Sequence, residues 1–283
     1  WQITKAQEAG LLYEDVLRQT AKLSGKSDAE IERLFTEAGA KALQFDIGIY
    51  KAAGLNPLPL NLSPAASRVL LAGIKKTQGL LNNLTRTTAK ASQRTYIRAA
   101  AIAEMQITSG AFDPATAMRN AIREVIKESG SVLYPSGHMD RIDVAVTRAV
   151  RTGVSQTTGE ISLQYANDMG CDLMETTAHF GARPSHAVWQ GQLVSLSGRT
   201  GYLSLADIGY GTGGGFKGWN CRHDWYPYFE GISRPAYSAQ RLRELSDKTV
   251  RYNGENISYY DATQRQRGME RRIRATRREL AGY

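Results

Sequence analysis

The chain has 283 residues, enough to bury a sizeable core in about one to three domains, and its 42% hydrophobic and 22% charged content is that of a globular protein. Its formal net charge of +9, from 36 Lys and Arg against 27 Asp and Glu, favours an anionic neighbour such as nucleic acid or an acidic protein face. Apolar runs such as Val69 to Ile74 are too short to span a membrane, and two cysteines do not make a disulfide scaffold.

A reducing compartment is therefore the default, with Cys171 and Cys221 as free thiols or metal ligands. The chain begins at Trp1 rather than methionine, so a targeting signal upstream of it would not be visible here.

The pattern from about Thr4 to Leu23 predicts a helix, with Ala9, Leu12, Val16 and Ala21 recurring at helical spacing. Ser27-Asp28-Ala29-Glu30 is a capping box that starts a second. That helix carries Ile31, Leu34, Phe35, Ala38, Ala42 and Phe45 on one face and should stop near Gly54, with Gly39 and Gly48 weakening its interior. Ser63-Pro64 repeats the start signal, and the pattern continues to about Met105, with candidate breaks at Gly79 and at Thr85 to Thr88. Asp113-Pro114 opens another helix that ends by Gly130. No catalytic motif falls in this part, which reads as scaffold and partner surface.

A long helix is expected from about Met139 to Met169, terminated by Gly170. Cys171 to Ala178, Leu193 to Leu196 and Asn220 to Phe229 are strand candidates. Between the last two, Ser197 to Gly218 is rich in glycine and reads as a mobile surface loop. Thr212 to Gly218 looks superficially like a phosphate loop but lacks the Gly-Lys-Ser/Thr ending and a following helix. Helices are again expected over Tyr237 to Asp247 and Ser258 to Leu280. The last carries Arg265, Arg267, Arg271, Arg272, Arg274, Arg277 and Arg278 against Glu270 and Glu279, with Met269, Ile273 and Leu280 as a thin apolar stripe. It is either a solvated face or a surface that meets DNA phosphate or an acidic partner.

The segment from His179 to Gly231 gathers three of the four histidines, three of the four tryptophans and one of the two cysteines. Cys171, His179, His186, Cys221 and His223 are thiolate and imidazole donors of the kind that hold structural zinc. On a strand, Cys221 and His223 would point to one face. No CxxC pair and no HExxH is present, so the alternative of core histidines and a buried thiol stays open. Cys221 with His223, or Ser185 with His186, are too close in sequence to argue a nucleophile and base, and no GxSxG surrounds a serine, so no catalytic residue is assigned. Packing is the simplest account: Trp189, Trp219, Trp225 and Tyr226 supply a core, with Arg183 and Arg222 pairing with Asp224 or Glu175 or stacking on the rings.

The run His179-x-Gly181-Ala182-Arg183-Pro184-Ser185-His186-Ala187-x-Trp189-Gln190-Gly191, then Asn220-Cys221-Arg222-His223 and Tyr226-Pro227-Tyr228-Phe229-Glu230-Gly231-Ile232-Ser233, resembles the phage minor capsid protein 2 family. The Ala149 to Gly170 helix with Cys171-Asp172-Leu173, and the tail Tyr260-Asp261-Ala262-Thr263-Gln264-Arg265-Gln266-Arg267 with Glu270-Arg271 and Ile273-Arg274, are similar too. The likeness is strong over the C-terminal half and loose over the helical N-terminal half. More distantly the chain resembles Mu F-type head proteins, whose cysteines are replaced here by His186 and His223, leaving a donor set that still suits zinc.

The resemblance implies a minor capsid protein of a tailed bacteriophage. It would sit in few copies in the head interior or at the portal vertex, after assembly in the host cytoplasm. Portal protein, major capsid protein and packaged double-stranded DNA are the implied partners, and ejection with the genome is compatible with that place. The rival class is a metal- or thiol-dependent hydrolase or transferase carried in the virion and delivered to the host. The expected architecture is α+β: a helical docking region over 1–137, a compact α+β module with short strands over 138–232, and a basic helical tail over 233–283.

Overall fold

The computed structural model describes residues 28–109, 113–128, 131–134 and 136–281. The helix expected over residues 4 to 23 and the capping Ser27 lie outside the described residues. The fold is α+β, with long helices and small sheets of short strands.

The helices begin and end where local chemistry dictates. Helix α1 (Asp28–Ala52) is closed by Gly54 in the left-handed region, φ 77°, which lets the Leu55 N–H reach the Tyr50 carbonyl. After a 3-10 turn at Leu60–Leu62, α2 (Pro64–Thr108) starts with proline in its first turn and the Ser63 hydroxyl accepting from the Ala66 N–H at 3.3 Å. It runs for 45 residues without the expected breaks. Thr85 and Thr87 turn their hydroxyls back onto the carbonyls of Leu81 and Asn83, so two of the three threonines are satisfied inside the helix, while the buried Thr88 hydroxyl has no hydrogen-bond partner among the described residues. Asp113 caps α3 (Pro114–Glu128) through the Thr116 N–H. Strands β1 (Ser131–Leu133) and β2 (Met139–Arg141) form an antiparallel hairpin that the sequence pattern does not announce. The helix expected from Met139 therefore begins later, as α4 (Ile142–Asp168), and Gly170 at φ 64° ends it.

The described chain divides into two compact units. One holds residues 78–149 and those from 268 on; the other holds 28–77 and 150–267. Neither is one continuous stretch, whereas the sequence reading divides the chain at 137/138 and 232/233 by composition. In the first unit, the Arg148 guanidinium ties the hairpin to α4 through Asp140 and the Tyr134 hydroxyl. Arg98 on α2 pairs with Glu124 on α3 at 2.6 Å.

In the second unit, α1 buries Ile31, Phe35, Gly39, Leu43, Asp46 and Tyr50. The buried stripe is thus rotated from the expected one: Phe45 is largely exposed, though its ring edge meets Tyr226. The rotation follows from Gly39, whose missing side chain admits Ile161 and Leu60. Helices α2 and α4 cross antiparallel through reciprocal glycine–threonine contacts. A Cβ at Gly73 would fall 1.9 Å from Thr157 Oγ1, and one at Gly153 would fall 2.2 Å from Thr77 Oγ1. Both threonines are buried. Each helix therefore presents a Gly-x-x-x-Thr step that receives the threonine of the other.

Four short strands make the main sheet, in the order β5 (Leu203–Ser204), β4 (Leu193–Ser195), β3 (Leu173–Thr176), β6 (Trp225–Tyr228). Strand β3 is central and antiparallel to both neighbours, pairing Glu175 with Leu193 on one side and with Tyr226 on the other. All four β3 side chains are buried, including Glu175, whose Oε1 accepts from the Ala236 N–H at 2.8 Å and whose carboxyl is pushed above the usual range by burial. One-turn helix α5 (Pro184–Ala187) sits between β3 and β4. Beyond the sheet come α6 (Ala239–Ser246), the hairpin β7 (Thr249–Tyr252) and β8 (Glu255–Ser258), and α7 (Tyr259–Ala281). Asn253 and Gly254, both at positive φ, make the tight turn of that hairpin.

Candidate functional site

The glycine-rich stretch after β5 is folded on itself, contrary to the mobile loop expected of it. The Tyr210 N–H bonds the Leu205 carbonyl, Phe216 N–H that of Ile208, and Trp219 N–H that of Gly213. The glycines allow backbone to touch backbone: a Cβ at Gly215 would lie 2.1 Å from the Gly209 oxygen, and one at Gly218 would lie 2.4 Å from the Gly213 oxygen. Lys217 at φ 59° and Asn220 at φ 56° hold the left-handed region without being glycine, which side chains rarely adopt unless their surroundings fix them. The loop thereby drives Phe216 and Lys217 inward. The buried Lys217 ammonium, 3% exposed, is neutralised by Asp224 Oδ1 at 2.5 Å.

Aromatic rings fill the space under this loop. Trp189, Phe216, Trp225 and Tyr210 meet in a chain, with Trp189 edge-on to Phe216 at 5.7 Å and Trp225 against Phe216 at 4.8 Å. Trp189 and Trp225 are buried and Tyr226 is half-buried. Trp219 corrects the composition-based core: it is 64% exposed, because its ring lies over Gly213 on the outside of the loop. Among the described residues Arg183 has no carboxylate partner; its guanidinium donates to the carbonyls of Trp219 and Gly214. Arg222 is exposed.

Against this aromatic wall the loop brings His186, Cys221 and His223 together, with one donor atom from each lying within 4.8 Å of the others. His186 comes from α5, while Cys221 and His223 come from the extended stretch before β6. All three are buried, at 2%, 6% and 2% exposure. Cys221 Sγ is 3.8 Å from His186 Nδ1 and 3.7 Å from His223 Nδ1.

The outer nitrogens of both rings face oxygen. His186 Nε2 lies 2.8 Å from the Gly214 carbonyl and His223 Nε2 lies 3.3 Å from Gln190 Oε1. A carbonyl only accepts, so His186 Nε2 carries the proton. Gln190 Oε1 also accepts from the His179 N–H at 3.1 Å, which fixes the amide's orientation and makes His223 Nε2 a donor too. Burial pushes the His223 imidazole down to about 3, helped by the nearby charges of His179, His186, Arg183 and Lys217; burial also lowers His186. Both rings are therefore neutral at neutral pH, with the Nδ1 lone pairs turned toward the thiol.

The other two donors named from sequence are placed differently. The His179 ring lies against that of His223, centroids 4.3 Å apart, with Nδ1 on the Phe180 carbonyl at 3.0 Å and Nε2 buried without a hydrogen-bond partner among the described residues. Cys171 is elsewhere, its thiol facing the carbonyls of Leu173 and Tyr228, where burial raises its pKa. Gln190 is the residue of the site that donor chemistry alone overlooks; it stood in the Trp189-Gln190-Gly191 motif without a role.

The arginines Arg265, Arg267, Arg271, Arg272, Arg274 and Arg277 are exposed along α7, with Arg265 over the Tyr252 ring at 4.9 Å. Arg278 lies on the same helix, which carries seven arginines against Asp261, Glu270 and Glu279. Met269, Ile273 and Leu280 are exposed as well. Among the described residues, no helix is long and apolar enough to cross a membrane.

The family model for phage minor capsid protein 2 matches residues 1–283. One similar protein, described as a structural protein of Lactococcus phage LL-H, is 23% identical over 290 residues, covering 97% of this chain and 75% of that protein. Another, a structural protein of Lactococcus phage mv4, is 36% identical over 73 residues, covering 26% of this chain and 50% of that protein. No solved structure matches the chain.

Proposed function

The chain belongs to the phage minor capsid protein 2 family and has a structural role in the virion, and from that premise we propose that it occupies the portal vertex or inner capsid with its basic surface toward packaged DNA. The observation that carries this reading is α7. A helix with six exposed arginines in a chain of net charge +9 is suited to an anionic polymer. The apolar residues exposed on α2 and α3, among them Ile97, Ile102, Met118 and Ile122, suit docking on portal or major capsid protein. The protein acts by binding rather than by catalysis: the imidazole–thiol group lies buried under the glycine loop, where an enzyme of the hydrolase or transferase class would need an open cleft. Assembly takes place in the host cytoplasm, and the chain is free to leave with the genome.

An asymmetric electron-microscopy reconstruction of intact particles tests this place. Density for the chain is expected at the portal vertex or on the inner capsid wall, with α7 facing DNA. Density confined to the outer surface would contradict it. A mass-spectrometric count before and after genome release reads ejection separately.

A further inference from the structure

We propose that His186 Nδ1, Cys221 Sγ and His223 Nδ1 bind one zinc ion, with His179 Nε2 as the fourth donor. The inference rests on these side chains alone and stands whether or not the chain sits at the portal.

Hydrogen bonding in the cluster lacks a donor. His186 and His223 each spend their ring proton outward, on the Gly214 carbonyl and on Gln190 Oε1. His179 does the same on the Phe180 carbonyl. The two buried imidazoles and the half-buried ring of His179 thus hold bare inner nitrogens, and the Cys221 thiol has one proton to offer. That proton satisfies one of the two nitrogens it faces, and His179 Nε2 has no partner among the described residues. A buried lone pair left unmatched is destabilising. A cation accepts all of them at once.

Spacing agrees. Zinc bound tetrahedrally at about 2.3 Å from sulfur and about 2.05 Å from nitrogen sets sulfur and nitrogen about 3.6 Å apart. The two sulfur–nitrogen distances here are 3.8 and 3.7 Å. Thiolate with imidazole is a donor set that selects zinc over magnesium or calcium. Oxygen acceptors on the outer ring nitrogens are the second layer that orients metal-binding histidines.

Electrostatics permit the charge. Lys217 is already neutralised by Asp224, and Arg183 is engaged by carbonyl oxygens. On binding, the Cys221 proton leaves to solvent and the thiolate takes one of the ion's two charges. His179 lies outside the 4.8 Å group, so it joins by a side-chain rotation that brings Nε2 toward the ion. The ion would then pin the α5 segment to the end of the glycine loop, a structural task that fits a buried site.

The full chain, produced without a histidine tag in zinc-supplemented medium, is assayed for metal and then exchanged with Co(II). The expected result is about one zinc per chain and, with Co(II), a thiolate-to-metal charge-transfer band. The band should survive in Cys171→Ser and vanish in Cys221→Ser. Should Cys221→Ser not fold, the folded Cys171→Ser variant still decides, since Cys221 is then the one thiol left. His179→Ala should keep the band and bind Co(II) at least about tenfold more weakly. A folded parent chain that takes up neither metal, or a band lost in Cys171→Ser or kept in Cys221→Ser, overturns the site. Equal affinity in His179→Ala removes the fourth donor.

Discussion

The glycine loop and the arginine helix are both marked by unusual composition, yet they are built on opposite physical terms. Within residues 209–223 the buried positions are set by close contact: Gly215 lies against Gly209, Phe216 between two tryptophans, and Lys217 on Asp224. Along α7 six arginines are exposed, and what the sequence specifies there is charge density. The first region is fixed by contact, so single atoms matter. The second is fixed by its field, so residues are interchangeable if the charge is kept.

Substitution at Gly215 should have the largest effect. The Cβ of Gly215→Ala meets backbone that cannot move aside, and a loss above about 4 kcal/mol, or failure to fold, is expected in urea denaturation. A variant as stable as the parent would mean the loop is loose after all.

Asp46 probes the same unit by pH. It is buried, accepts a hydrogen bond from Ser162, and is raised by burial to about 7. Because the folded value lies above the unfolded one, its contribution is greatest below the ordinary carboxyl value and is lost as pH rises through about 7. Asp46→Asn should therefore gain on the parent between about pH 4 and about pH 7, by up to about 4 kcal/mol, and then level off. A difference that stays constant across that range in thermal melts would show that Asp46 is not protonated in the fold.

The helix crossing offers a smaller, reversible perturbation. Gly73→Ala should cost about 1–3 kcal/mol by overpacking against Thr157. Adding Thr157→Ala should restore part of it, which a double-mutant cycle reads directly. Additive effects would deny the contact.

Replacing Arg271 and Arg274 by Gln belongs at the other end. Stability should change by less than about 0.5 kcal/mol, while duplex DNA binding weakens and the slope of log affinity against log salt falls by about 1 for each arginine that meets a phosphate. An unaltered salt slope would take α7 out of the DNA contact.

The same contrast explains what the sequence disclosed. Helix starts at Ser63-Pro64 and Asp113-Pro114 were legible because capping is local chemistry. Three strands of the main sheet were legible from β-branched and aromatic runs, and the arginine helix from its charge. The glycines misled. Gly39 and the threonine cluster read as helix-weakening, but Gly39 admits Ile161 and Leu60, and Thr85 and Thr87 return their hydroxyls to the helix backbone. Gly73 and Gly153 carry a helix crossing that only tertiary structure reveals.

The hairpin at 249–258 had a visible signal in Asn253-Gly254, overshadowed by the helical pattern on either side. Cys171 and Cys221 could not be told apart by residue type; the fold separates them by giving one backbone carbonyls and the other two imidazoles. Trp219 shows the limit of composition, since a tryptophan in an aromatic run can lie outside and cover a glycine.

Hydroxyl-radical footprinting of the free chain, of particles stopped before DNA packaging and of DNA-filled particles tests the contrast most directly. Trp225 should stay protected in all three, while the exposed Met269 on α7 should react in the free chain and in unfilled particles and become protected once DNA is inside. Equal reactivity of Met269 in filled and unfilled particles, or ready oxidation of Trp225 in the free chain, would contradict the account.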